Sequence, residues 1–186
     1  LMTITGLIDA PKADKEFLSI NGAQGFSTFY GYYMLEAMAT AGNYQGALDV
    51  IREYWGAMID LGATSFWEDF DINWIPNATP IDELVPEGKK DIHGDCGAYC
   101  YVGFRHSLCH GWASGPTSWL SRHILGVEVI EPGCRQVRIT PHLGDLQWVK
   151  GTFPTPYGEI QIYHEKQANG NVISEVKAPK GVSVIK

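Results

Sequence analysis

The hydrophobic pattern of this chain changes its period once, and that change constrains the fold more than any other feature. Before Gly126, apolar residues recur at the three- and four-residue spacing of helices. After Pro132 and Gly133 they alternate with polar residues, as in strands that bury one face. The sequence therefore predicts an α+β chain in which a helical domain, residues 1–130, precedes a β domain, residues 131–186.

Two consecutive helices are predicted with almost nothing between them. Ser27 is a suitable N-cap for the first and Gly42 a suitable C′ residue. Apolar residues surround the axis of this helix, which predicts deep burial. Asn43 caps the second helix and Gly62 ends it. Because only Gly42 and Asn43 separate the two helices, we expect an antiparallel hairpin.

A long loop follows, and then a third helix. Prolines and glycine exclude a long regular element over residues 64–105, and loops of this length tend to be functional. Ser114 is a suitable cap for the third helix, with Pro116 in its first turn and Gly126 at its end.

The β domain contains five strand-like segments separated by Pro, Gly and Asn, with a hairpin turn at residues 168–171. In order they predict an antiparallel meander that forms a small β-sandwich or part of one. The segments are residues 137–140, 146–150, 158–164, 172–176 and 182–185.

Charge and composition restrict the partners. The net charge is −7 without a cluster of Lys or Arg, which argues against nucleic acid and anionic membranes. No apolar run approaches the roughly 18 residues of a membrane span. The first residues do not resemble a signal peptide, and the chain does not open on Met, so we expect a piece of a longer protein. The compartment stays open, with the periplasm or the cell exterior favoured over the cytoplasm.

The four cysteines are too few for a disulfide scaffold. His93, Cys96, Cys100 and Cys109 have the side chains of a zinc site, but their spacing matches no standard zinc pattern. We therefore interpret these three cysteines, with Cys134, as free or structural cysteines, and predict neither a metal nor a cofactor.

The stretch at residues 62–71 carries the most suggestive chemistry. Glu68 directly follows Trp67 just after the second helix ends. A sugar-processing site combines an acid or base group with an apolar platform for a pyranose ring. The alternative is a surface loop with buried aromatic residues and solvated acids.

Three ordered stretches resemble the C-terminal end of the inverting α-L-rhamnosidases, family seventy-eight of the glycoside hydrolases. The first runs from the helix at residues 32–37 through 55–58 to 62–68, and the second comprises residues 107–110 with Gly115, Trp119 and Leu120. The third comprises residues 138–146 and 155–160. The resemblance implies the C-terminal hairpins of an (α/α)6 toroid, followed by a small antiparallel β-sandwich domain.

The resemblance also implies site residues and a substrate. Glu68 matches the family's general base, which activates a water during the inverting removal of terminal α-L-rhamnose from an oligosaccharide or glycoside. His110 matches a histidine that contacts the bound sugar, and Trp67 and Trp112 are then candidate sugar-facing platforms.

The chain departs from the family in two places and lacks a part of it. Cys109 stands where the family usually has Asn, and the segment between Glu68 and His110 is longer than usual, with residues 76–100 as the extra material. The general acid lies upstream in this family, so we expect the chain to be inactive without the missing N-terminal part, and its exposed apolar faces to favour self-association.

Three questions stay open at this point. Asp69 and Asp71 could raise the pKa of Glu68 through their charge, although solvated side chains are the preferred interpretation. The chain could instead be a non-catalytic carbohydrate-binding or domain-interaction module that uses the meander. It could also belong to another six-hairpin glycosidase, because many activities share that fold.

Overall fold

The computed structural model describes residues 1–92 and 106–185, and the chain divides into two compact units, Leu1–Pro116 and Thr117–Lys186. The first unit is mainly helical, and the second contains two sheets. The helices are α1 (Ala10–Ala13), α2 (Gly31–Thr40), α3 (Tyr44–Val50), α4 (Gly56–Asp60) and α5 (Gly115–Trp119). The strands are β1 (Ala78–Thr79), β2 (Lys90–Asp91), β3 (Val127–Val129), β4 (Gln136–Ile139), β5 (Trp148–Thr155), β6 (Gly158–Lys166), β7 (Val172–Lys177) and β8 (Ser183–Ile185).

The predicted helix hairpin is confirmed. Gly42 adopts φ 80°, and the Asn43 side chain accepts a hydrogen bond from the Gly46 N–H at 2.9 Å, as a cap should. A π-helical turn joins α3 to α4. A Cβ added to Gly31, the first residue of α2, would lie 2.7 Å from the ring of Trp55 in that turn. The start of α2 therefore contacts the far part of the second helix, as antiparallel packing requires.

The beginning of α2 differs from the prediction. Ser27 accepts a hydrogen bond from the Tyr30 N–H and closes a turn, and α2 itself begins only at Gly31. Phe29 and Tyr30 in this turn are 43% and 57% exposed. The prediction of deep burial all round the helix is therefore wrong at this end, because the turn directs these two rings away from the hairpin.

An aromatic cluster forms the core beneath the loop that follows α4. The ring of Tyr54 lies 4.9 Å from that of Trp55 and 5.3 Å from that of Phe70, measured between centroids. The Tyr54 hydroxyl donates a hydrogen bond to the Phe70 carbonyl. Burial raises the pKa of Tyr54 well above its usual range, and the charges of Asp69 and Asp71 raise it further. This phenol therefore stays protonated and ties the loop to the helices.

The loop contains only short elements over its described part, residues 64–92, as predicted. They are a 3₁₀ turn at Ile72–Asn77 and the parallel pair of β1 and β2. Residues 93–105, with His93, Cys96 and Cys100 of the considered zinc group, lie outside the described residues. The thiols of Cys109 and Cys134 are free, the first exposed and the second half-buried. Over the described ranges, no helix is long and apolar enough to cross a bilayer.

The third helix ends where the sequence predicts. α5 continues through a π-helical turn, Leu120–Ile124, to Gly126 at φ 74°. A Cβ at Gly126 would lie 2.3 Å from the carbonyl carbon of Thr140, so the close approach of these backbones requires glycine.

The two sheets of the second unit correct the predicted five-stranded meander. Only β5, β6 and β7 form an antiparallel meander. β4 lies between β3, which is antiparallel to it, and β8, which pairs with it in parallel. Alternation predicts that these segments are strands, but pairing between β4 and β8 joins distant parts of the chain and leaves no local signal.

Residues from both sheets share one core in this unit. It consists of Leu125, Val127, Val137, Ile139, Ile160 and Ile162. On β6 the inward positions end with His164, whose side chain is fully buried. Its ring nitrogens pair with the Ser174 hydroxyl at 2.7 Å and with the Leu125 carbonyl at 3.1 Å. The neutral tautomer with hydrogen on Nε2 satisfies both partners, since Nδ1 then accepts from Ser174.

We expect the change His164→Ala to lower the free energy of unfolding by about 2–4 kcal/mol, because it leaves a cavity and removes a partner from the buried Leu125 carbonyl and from the half-buried Ser174 hydroxyl. Urea denaturation followed by circular dichroism would measure this loss. Gln161→Ala, on the same strand but the exposed face, is the matched control and should stay within about 0.5 kcal/mol of wild type. Equal losses in the two variants would contradict the structural role of His164.

Candidate active site

Backbone hydrogen bonds pair two segments that lie far apart in the sequence. The Glu68 N–H donates to the Ser107 carbonyl at 2.8 Å, and the His110 N–H donates to the Phe66 carbonyl at 2.7 Å. The Ser107 N–H in turn donates to Oε2 of Glu68 at 3.0 Å. This pairing brings Glu68 and His110 together, as the sequence analysis requires of a shared site.

The peptide group of Glu68 is held by two side chains as well. The hydroxyl of Thr28 and Nε1 of Trp112 both donate to the Glu68 carbonyl, the latter at 2.6 Å. Thr28 is only 3% exposed, whereas Trp112 is 44% exposed. A buried donor and a surface donor thus fix the backbone at Glu68, and the direction of its side chain depends on both.

The carboxylate of Glu68 remains accessible. Its side chain is 18% exposed, and that of His110 is 31% exposed. Nδ1 of His110 lies 3.9 Å from Oε2 of Glu68, which is too long for a hydrogen bond but close enough for attraction when His110 is protonated. A partly exposed carboxylate beside an imidazole can take a proton from water or hydrogen-bond a hydroxyl group.

An exposed aromatic surface borders these two residues. The ring of Trp112 lies 4.1 Å from that of His110 and 5.6 Å from that of Phe29, which in turn lies 6.0 Å from that of Tyr33. Trp112 is thus exposed beside His110, where the sequence analysis expects a platform. Phe29 and Tyr33, which extend this surface, were not among the predicted residues because the aromatic run after Ser27 was interpreted as buried helix; the number of rings in that run was the available signal.

Trp67 requires a correction. Its side chain is fully buried and packs 5.9 Å from Phe70 and 6.4 Å from His106 between ring centroids. Its Nε1 has no hydrogen-bond partner within residues 1–92 and 106–185. Trp67 therefore belongs to the core and is not a sugar-facing platform in this structure. The physical reason is its packing, because the large apolar indole is buried against the rings of Phe70 and His106.

His106 is another residue that the sequence analysis missed. It is buried, its Nε2 accepts from the Asp69 N–H at 3.0 Å, and its Nδ1 faces the Ile92 carbonyl at 3.2 Å. A hydrogen on Nδ1 satisfies both contacts. His106 thus holds the residue next to Glu68 without facing the exposed surface.

Asp69 is half-buried, so the interpretation of a solvated acid does not hold for it. Burial raises its pKa above the usual range, with smaller contributions from the charges of Asp71 and Glu68. A hydrogen bond from the Phe70 N–H opposes this shift. The protonated form of Asp69 is therefore favoured by folding.

Comparisons with known proteins concern both units. A family model described as the bacterial alpha-L-rhamnosidase C-terminal domain matches residues 126–185. The crystal structure of a GH78 family rhamnosidase of Bacillus sp. GL1 is 28% identical, with a TM-score of 0.68, and covers 93% of this chain. This chain covers only 16% of that one. No protein with a curated description matches.

Two more distant structures share the fold. The alpha-L-rhamnosidase from Dictyoglumus thermophilum is 23% identical with a TM-score of 0.60, over 84% of this chain and 15% of its own. The Streptomyces avermitilis alpha-L-rhamnosidase complexed with L-rhamnose is 20% identical with a TM-score of 0.59, over 83% of this chain and 13% of its own. The mixed helical and sheet architecture therefore recurs in the structures that this chain matches.

The two donors to the Glu68 carbonyl predict a non-additive effect on stability. Thr28→Val and Trp112→Phe should each cost about 1 kcal/mol of unfolding free energy. The double variant should cost more than their sum, because only the second loss leaves the carbonyl without either side-chain donor. Chemical denaturation of the four proteins would measure the coupling, and strict additivity would contradict the shared role.

The raised pKa of Asp69 predicts a pH dependence. The folded pKa exceeds the unfolded one, so the contribution of Asp69 to stability is fully present below the unfolded pKa and is lost as the pH rises through the folded pKa. Asp69→Asn keeps an acceptor for the Phe70 N–H and cannot ionise. It should flatten this part of the stability profile and stabilise the chain at neutral pH relative to wild type. Denaturation midpoints measured across acidic to neutral pH would test this, and a profile in Asp69→Asn as steep as that of wild type would contradict the assignment.

Proposed function

We propose that this chain belongs to the α-L-rhamnosidase family of glycoside hydrolases and is the C-terminal part of an enzyme that removes terminal α-L-rhamnose from rhamnosides with inversion. Glu68 is the general base in this proposal. One observation carries it: the Glu68 carboxylate is oriented by the Ser107 N–H and stays partly exposed beside His110 and an aromatic surface.

In the proposed reaction a water molecule lies between Glu68 and the anomeric carbon of the rhamnosyl group. Glu68 takes one proton from this water while the oxygen of the water bonds to the anomeric carbon. The bond between that carbon and the leaving oxygen breaks on the opposite face, and a general acid protonates the leaving oxygen. The product is rhamnose of inverted configuration. We propose that the acid lies in the enzyme's N-terminal part, upstream of these residues.

Recognition of the sugar is assigned to the neighbours of Glu68. His110 would hydrogen-bond a rhamnose hydroxyl, since its side chain is partly exposed and lies beside the carboxylate. Trp112 would contact an apolar face of the sugar, with Phe29 and Tyr33 extending that surface. Rhamnose lacks the hydroxyl at carbon 6, so its methyl group suits an aromatic surface of this kind.

The domain organisation is part of the same proposal. Residues 1–130 would supply C-terminal hairpins of an (α/α)6 toroid, which the antiparallel hairpin of α2 and α3 supports. Residues 131–186 would form the β-sandwich domain, supported by the single core that residues of both sheets share. Exposed apolar side chains on the first unit, including Leu7, Phe17 and Ile59, suit contact with the rest of the enzyme. Without it, we expect this chain to self-associate and to be inactive.

In the full-length enzyme, Glu68→Gln should lower kcat on an aryl α-L-rhamnoside by about 10²–10⁴-fold, because the attacking water loses its base. Azide, which attacks without losing a proton, should restore turnover and yield a rhamnosyl azide of inverted configuration. Release of the aryl group would be followed by absorbance, and the configuration of both products by NMR.

Asp71→Asn is the matched control, since it changes a carboxylate on the same loop and keeps the acceptor for the Asn73 N–H. It should retain near wild-type activity. Near wild-type activity in Glu68→Gln, or a loss that azide does not restore, would reject Glu68 as the base. Rhamnose released with its original configuration would reject inversion, and preference for another glycoside in a substrate panel would favour a different six-hairpin glycosidase.

A further inference from the structure

The meander of the second unit has one face that its core does not use. Ile160, Ile162 and His164 on β6 point inward and are buried. The alternate positions, including Gln161 and Tyr163, therefore point to the opposite face. The burial of β5, β6 and β7 follows the same alternation, and the outward positions on all three strands are more exposed than the inward ones.

Strand register places the outward side chains in three parallel rows. Directly opposed residues of paired strands share a face of the sheet. The rows are Trp148–Glu165–Ile173, Lys150–Tyr163–Glu175 and Thr152–Gln161–Lys177. The last two rows line a shallow groove of about 480 Å³. The meander thus presents a continuous outer face, defined here by these nine residues.

The outer face combines one exposed and one half-buried aromatic ring with polar groups. Trp148 is 61% exposed, and Ile173 in the same row is 54% exposed. Tyr163 stands in the middle of the next row and is half-buried. Trp148 and Tyr163 occupy diagonal positions of paired strands, which are about 7–8 Å apart and within reach of one another's side chains. The side chains of Trp148 and Tyr163 therefore lie on the same face of the sheet, close to one another.

The polar groups on this face offer both donors and acceptors. Lys150 and Lys177 donate, Glu175 accepts, and the Gln161 amide and the Thr152 hydroxyl do both. The two lysines balance the carboxylates of Glu165 and Glu175 in the three rows, so the face has no excess charge to attract a strongly acidic or basic polymer. Rings surrounded by balanced donors and acceptors complement a neutral sugar, which has apolar ring faces and a rim of hydroxyl groups.

We propose that the outer face of the meander binds a neutral oligosaccharide, with Trp148 and Tyr163 contacting sugar rings and the flanking polar side chains bonding their hydroxyls. This site lies wholly within the second unit and uses neither Glu68 nor His110. It does not require the reaction proposed above. Its role is to hold a saccharide chain and not to cleave it.

The test titrates the isotope-labelled 186-residue chain with L-rhamnose and with neutral hexasaccharides of β-linked glucose, xylose and mannose, by calorimetry and by NMR of the backbone amides. At least one hexasaccharide should shift amide signals of β5, β6 and β7. Trp148→Ala and Tyr163→Ala should each weaken that binding about tenfold, the order expected for loss of an aromatic contact. Tyr163→Phe keeps the ring and should bind nearly as wild type.

Two controls separate this site from the one around Glu68. Tyr157→Ala removes an exposed ring of the same unit outside the nine residues and should leave the affinity unchanged. Glu68→Gln and Trp112→Ala should also leave it unchanged. Failure of every hexasaccharide to bind would overturn the proposal. Binding that survives the double change of Trp148 and Tyr163, or that is lost only in Trp112→Ala, would overturn it too, the latter in favour of the proposed active site.

Discussion

The pairing between residues 66–68 and 107–110 is the interaction on which the candidate active site depends. Closing a loop of this length costs entropy, and a few backbone hydrogen bonds alone recover little of it. The loop is closed because its first part is anchored elsewhere. Phe70 packs on Tyr54 in the helical core, and the Tyr54 hydroxyl bonds the Phe70 carbonyl. The aromatic core thus stabilises the loop, and the loop in turn positions Glu68 beside His110.

Features with a local cause could be predicted from the sequence. The hairpin of α2 and α3 follows from Gly42 and Asn43, which end one helix and cap the next within two residues. The end of the third helix at Gly126 follows in the same way. The parallel pairing of β4 with β8 could not be predicted, because alternation gives each strand a buried face and says nothing about its neighbour. The contact between Gly126 and Thr140 likewise emerges only from the folded chain.

The aromatic residues illustrate a further limit. Trp67 and Trp112 both flank candidate site residues in the sequence, and composition alone treats them alike. In the structure Trp67 is fully buried, whereas Trp112 is exposed and donates to the Glu68 carbonyl. The difference arises because Trp67 packs against Phe70 and His106 in the core, whereas the pairing of residues 66–68 with 107–110 brings Trp112 beside His110 at the surface. Adjacency to Glu68 in the sequence therefore does not predict that a tryptophan side chain is exposed. The exposed tryptophan beside Glu68 is the one that the pairing of distant segments brings close.

The same alternation separates stability from recognition in the second unit. On β6, the side chains of Ile160, Ile162 and His164 are buried in the interior, whereas those of Gln161 and Tyr163 point away from it. Substitutions on the outward positions can therefore change a binding surface at little cost in stability, whereas the inward positions cannot vary in this way. Glu68 has no such freedom, because its backbone carbonyl, its N–H and its carboxylate all take part in bonds that hold the loop. A binding face on a sheet can thus change one side chain at a time, while the site around Glu68 can change only together with the pairing that builds it.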